Sequence, residues 1–174
     1  MYSGFYKPHR IKSIVGRTLQ KAQLALKKER PIIVKGMLQP GVRFQQCPIK
    51  ASMGVFGRKW TTLILRDIGF RKIDRFNHLL DSVPGLTPRV LSMRLKELEK
   101  DGIIQKIEDE SSPTIVRWTL TQKGEDALPI LIRLMAFGAK WYAKEVFEDK
   151  MPRSLNEIFT RPEAQEIVQR LYQA

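Results

Sequence analysis

The sequence predicts a mainly helical, α+β fold on three observations. Thr87 stands where a helix N-cap belongs, Pro88 follows at the first helical position, and Gly102 ends the run; Leu91, Leu95 and Leu98 form one apolar stripe between them. A shorter helical stretch begins near Arg75 and ends near Asp81, with Ser82-Val83-Pro84-Gly85-Leu86 as the turn between the two. After Gly102, Ile103–Ile107 reads as a short strand, Glu108–Pro113 as a polar turn, and Ile115–Leu120 as a second strand with Val116, Trp118 and Leu120 on one face. Helix, tight turn, capped basic helix and hairpin make a winged helix-turn-helix with a two-stranded wing. Helical extensions flank it on both sides.

The residues from Cys47 to about Trp141 also resemble the HxlR-type winged helix-turn-helix transcriptional regulators. The resemblance is carried by Cys47-Pro48, Gly57-Arg58-Lys59-Trp60, Leu63-Ile64-Leu65-Arg66, Arg75-Phe76-Asn77, Pro84-Gly85-Leu86, the run Val90–Glu99, Asp101-Gly102, Pro113 with Val116–Thr121, and Gly124. Each piece is weak alone, and their order over the stretch is the specific signal. The resemblance implies a homodimeric bacterial or archaeal transcription factor on a near-palindromic operator. In some members of that family the cysteine at the position of Cys47 is an oxidant sensor.

A chain of 174 residues suits one domain with extensions, divided here as residues 1–45, 46–125 and 126–174. Its net charge of +13 favours a polyanionic partner, double-stranded DNA first and an acidic membrane surface second. The charge is uneven. Residues 1–50 hold eleven Lys or Arg against one acid, 51–100 ten against five, and 101–174 ten against twelve. The anion-seeking surface therefore lies in the first hundred residues.

From the start of the chain, His9–Arg30 has the pattern of a basic amphipathic helix, with Ile11, Ile14, Val15, Leu19, Ala22 and Leu26 apolar. A DNA-binding arm is the favoured reading; a helix packed on the domain or on a partner, and a solvated tail, compete with it. No secretory h-region is visible, which argues for a cytoplasmic, nucleoid-associated protein. Cys47, the single cysteine, cannot form an internal disulfide. It is read either as a small apolar residue beneath a dimer interface or as a thiol activated by the helix beginning near Pro48.

Ile49–Phe56 and Thr61–Ile68 are expected to be the first two core helices, with Trp60 packed inside. Arg58 and Lys59 open the second, either as phosphate contacts or as solvated charges, and Arg75 leads into the helix-turn-helix, where the family places the helix start against the DNA backbone. On the capped helix, Arg89, Ser92, Met93 and Lys96 fall opposite the leucine stripe. Arg89, Ser92 and Met93 are the base-edge candidates, Lys96 and Lys100 share their face, and Thr87 lies near a phosphate. Arg94 sits nearer the core edge, as a brace. The wing departs from the family, with Ile115 where a basic residue is usual and Glu108-Asp109-Glu110 in the turn. The tip therefore points away from DNA, or Arg117 alone makes the contact, or the N-terminal arm takes over.

A helix is expected from Thr121, with Pro129 in its first turns or at a kink. Leu128, Leu131, Ile132, Leu134, Met135, Phe137, Trp141 and Tyr142 make it apolar on more than one face. Such a helix packs on a partner subunit, and the family dimerises through this segment. Arg133, Lys140 and Lys144 exclude a membrane span there. Ser154–Ala174 offers one or two short packing helices.

Catalysis has little support. His9 and His78 are far apart, and one cysteine with two histidines gives no metal spacing; no glycine-rich phosphate loop is present. Neither a cofactor nor a metal is expected, and any small-molecule effector is unspecified. The leading expectation is a dimeric, sequence-specific DNA-binding regulator, a repressor, with a redox response through Cys47 as an addition. A sequence-tolerant architectural, nucleoid or RNA-binding protein is the alternative.

Overall fold

The computed structural model describes residues 42–109 and 112–173. The basic helix expected over His9–Arg30 lies outside the described residues, as does Glu110 of the wing turn. Gln45–Ala174 form one compact unit. Within it the helices are α1 (Pro48–Phe56), α2 (Thr61–Gly69), α3 (Phe76–Ser82) and α4 (Pro88–Lys100), followed by strands β1 (Ile104–Asp109) and β2 (Ser112–Leu120). Then come α5 (Gln122–Glu125), α6 (Leu128–Trp141), α7 (Ala143–Val146), α8 (Leu155–Ile158) and α9 (Pro162–Gln173). The expected mainly helical winged fold is the one observed.

The local signals of α4 act as the residue types require. The Thr87 hydroxyl accepts the Val90 N–H at 3.4 Å, Pro88 takes the first turn, and Gly102 leaves the helix at φ +69°. Gly85 turns the chain between α3 and α4 at φ +82°, facing the edge of the Trp60 ring. Trp60 itself adopts φ +76° and is half-buried against the core rather than enclosed within it.

Leu91, Leu95 and Leu98 are buried against Ile64 and Leu65 of α2, Leu79 of α3, Ile103, Ile104 and Trp118. Each such side chain contributes roughly 1.5–3 kcal/mol by leaving water. β1 and β2 pair antiparallel from Ile104 opposite Leu120 to Asp109 opposite Ser112, with an irregularity between Glu108 and Asp109. The strands thus run through most of the polar stretch expected as a turn, because the ladder satisfies backbone groups whatever the side chains. An isolated bridge joins Arg75 to Arg117, and the Trp118 N–H donates to the Asp74 carbonyl at 2.8 Å. The wing is thereby tied to the entrance of α3.

Two expectations are corrected. No residue of α1 is fully buried, so it is a surface helix within this chain whose last two residues alone, the half-buried Val55 and Phe56, pack against the core. The single helix from Thr121 is two helices: α5 ends at Glu125, and α6 restarts at Leu128 with Pro129 in its first turn. Pro129 belongs where an N–H is not needed, so the chain breaks before it instead of kinking through it. The last helices build a second apolar cluster, in which Leu155 and Val168 bury Ile132 of α6 beside Met135, Ile158, Phe159 and Leu171. Ser154 and Glu157 close a capping box on α8.

Gly124 marks the tightest approach. A Cβ there would stand 2.2 Å from the Ile103 carbonyl oxygen, which also accepts the Thr121 N–H at 3.0 Å. Gly124→Ala is expected to lower stability by about 1–3 kcal/mol in a urea titration.

Candidate nucleic-acid interface

With its leucine stripe consumed by the core, α4 has only one face left for solvent. Arg89, Ser92, Met93, Lys96 and Lys100 occupy it; Met93 is 44% exposed, a large apolar side chain left in water. No described residue holds Arg89, Ser92 or Lys96 in a side-chain hydrogen bond or ion pair. Thr87 is exposed at the N-terminus of α4, and while its oxygen accepts from Val90 its O–H stays available as a donor.

The other expected contacts divide into free and engaged. Arg58 faces the end of α4, where its Nη1 donates to Asp101 at 2.8 Å and lies 3.6 Å from Glu97. Its charge is already met, so it locks α4 in place more than it offers a cation to solvent. Arg94 performs the expected brace, donating from Nε to the Lys59 carbonyl at 3.0 Å and from Nη1 to Glu97 at 2.5 Å. Lys59 is exposed with its ammonium 4.6 Å from the Trp60 ring, a geometry that leaves its donors open to solvent. Arg117, the wing's candidate, pairs with Asp74 at 3.1 Å. Arg75 and Arg117, forty-two positions apart, become backbone neighbours through their bridge. Cys47 is exposed, immediately before α1.

Sequence reasoning missed the residue that orders this surface from beneath. Asp67 is fully buried at the end of α2 and accepts from Ser82 Oγ at 2.5 Å, Arg66 Nε at 2.7 Å and Arg71 Nη1 at 3.3 Å. It fastens the last residue of α3 to α2. Burial raises the carboxyl's pKa, but the hydrogen bonds from Arg66 and Ser82, with the charges of Arg66 and Arg71, outweigh this and hold it below its ordinary value. A lone acid within the apolar pattern of α2, with Arg on either side, was the available signal.

The model of the HxlR-like helix-turn-helix family matches residues 55–146. The chain belongs to that family. It is 34% identical over 102 residues to an HTH-type transcriptional regulator of Synechocystis, a match covering 59% of this chain and 75% of that protein. A solved structure from Porphyromonas gingivalis, described as a MarR-family transcriptional regulator, aligns at 35% identity with a TM-score of 0.50, covering 57% and 96% of the two chains. Another described in the same way, from Enterococcus faecalis, aligns at 28% identity with a TM-score of 0.51 over 62% and 97%. This HxlR-like chain is therefore a DNA-binding transcriptional regulator of helix-turn-helix type. Among the described residues no helix is long and apolar enough to cross a membrane, and no cluster of three or more His, Cys, Asp or Glu could hold a metal.

The pH dependence of the Asp67 clasp has a definite sign. Its folded-state pKa is depressed, so its stabilising contribution is complete above the unfolded value and is lost as pH falls below about 4. Asp67→Asn is expected to cost on the order of 2 kcal/mol at neutral pH and to flatten the acid limb of stability against pH, both read by urea titrations.

Proposed function

We propose that the HxlR-like chain is a dimeric, sequence-specific repressor whose α4 enters the major groove. The exposed, unengaged Arg89, Ser92 and Met93 on a helix pinned by its opposite face are the observation that carries this reading. Arg89 has the fork geometry for the O6 and N7 of guanine, Met93 offers apolar contact to a thymine methyl, and Ser92 adapts to either edge. Lys96 continues along the same face. Thr87, Lys59 and Arg75 serve phosphates, fixing register. Arg58 and Arg117 act in this reading through the acids they hold, as positioning residues for α4 and the wing. A dimer seated across its operator represses by occlusion.

Selection from random DNA followed by affinity measurements over a salt series tests this. Arg89→Ala is expected to lose about 1–3 kcal/mol of discrimination at one base-pair position in each half-site. Lys59→Ala weakens all sequences alike and reduces the salt slope by about one. Equal affinity for selected and random DNA at every salt concentration would instead establish the sequence-tolerant, architectural reading.

Dimerisation is supported by α6. Its inner face buries Leu131, Ile132 and Ala139, while Leu134, Phe137 and Trp141 remain 52–63% exposed on the other side. Ile49 and Met53 of α1 are likewise exposed. Two apolar faces on one helix need a second cover. Light scattering is expected to give twice the 20.2 kDa chain mass for the wild type and a single chain mass for Phe137→Glu. The exposed Cys47 adds the redox reading; diamide then yields a species on a non-reducing gel that Cys47→Ser does not form. An unchanged gel pattern and unchanged DNA affinity after diamide would make Cys47 structural.

A further inference from the structure

The family match ends at residue 146, and α8 and α9 lie beyond it. These helices pack along α6, at Ile132, Met135 and Ala136, without sealing against it. A cavity of about 590 Å³ remains between α9, α6 and the end of α2, within the size range of small-molecule sites. Its walls are Phe70, Leu128, Met135, Phe159, Ile167 and Leu171, all apolar. Its rim carries Arg66, Arg71, Lys72 and Arg170 against a single lining acid, Glu125. Arg66 and Arg71 share one buried carboxylate, that of Asp67. No described residue forms an ion pair with Lys72 or Arg170.

An apolar chamber with surplus positive charge at its mouth fits an amphipathic anion. The geometry points to a binding site for a small apolar monocarboxylate, its hydrocarbon part against Phe70, Met135, Phe159 and Leu171 and its carboxylate at Lys72 and Arg170. Burying the chain removes apolar surface from water on both sides, and the charged end stays at the mouth, where its solvation is not lost. Phosphate alone would gain the charge and none of the burial. A neutral chain would gain the burial and none of the charge.

The rim also reaches the DNA-binding half of the molecule. Arg71 donates to the carboxylate that holds Ser82 at the end of α3. A carboxylate held at Lys72 and Arg170 also attracts the adjacent rim cation Arg71, weakening its hold on Asp67 and loosening that clasp, so occupancy changes DNA affinity; this second step rests on the reading of α4 as the DNA-contacting helix. By linkage, DNA alters affinity for the ligand by the same factor.

The test uses the full chain with decanoate, its neutral methyl ester and acetate as probes. Calorimetry without DNA is expected to show decanoate binding about tenfold or more tighter than the ester, a difference of about 1.4 kcal/mol, with no acetate binding. Lys72→Ala/Arg170→Ala should abolish the preference for decanoate over the ester while leaving the thermal melting curve unchanged. Equal binding of ester and decanoate, no saturable binding of either, or an unaltered preference in the double variant overturns the site. In a separate DNA titration, decanoate is expected to shift affinity several-fold where acetate at the same concentration does not. Calorimetric binding with no such shift overturns the coupling and leaves the site standing.

Discussion

The burial of three leucines on one side of α4 is the constraint from which the interface follows. Leu91, Leu95 and Leu98 are almost wholly removed from water, and rotating the helix to hide Arg89 or Lys96 would bring leucine out. At about 1.5–3 kcal/mol for each buried side chain, that rotation costs more than any surface ion pair returns. The outward direction of Arg89, Ser92, Met93 and Lys96 is thus a consequence of packing rather than of their own interactions. Side chains held this way keep their donors free, which a reading surface needs.

Polar contacts then set what packing leaves adjustable. Arg58, in the segment before α2, reaches Glu97 and Asp101, and Arg94 of α4 donates both to Glu97 and to the Lys59 carbonyl of that segment, so the middle and the end of α4 are referenced to it. Asp67 does the same for α3 through Ser82. The wing is placed by backbone, since the Asp74 carbonyl and Arg75 bridge to the second strand. Several of the cations that suggested a nucleic-acid partner, Arg58 and Arg117 among them, therefore have structural work.

The C-terminal third has a different character. Its first long helix divides between a buried face within the chain and an apolar face without cover, and the helices after it enclose space as well as filling it. A helix-turn-helix part built on one leucine-rich core and a C-terminal part that encloses a void thus differ in packing, since a cavity forgoes the dispersion contacts that a filled core makes.

Sequence by itself determined the ends of α4, the fold and the face of α4 that stays in water, because caps, glycine turns and the 3.6-residue period are local: Thr87, Pro88, Gly85 and Gly102 act within a few residues of their own positions. It showed that α6 has too many apolar faces, for the same reason. Tertiary structure alone decided which charges are free. Arg58 meets Asp101 across forty-three positions, Arg117 meets Asp74 across the same separation, and Ser82 reaches Asp67 across fifteen. It also left all of α1 but Val55 and Phe56 outside the core, since an apolar composition does not say whether a helix is covered by its own chain. The cavity beneath α9 belongs to this second class, because a void is a property of how two surfaces fail to meet, and no residue encodes it singly.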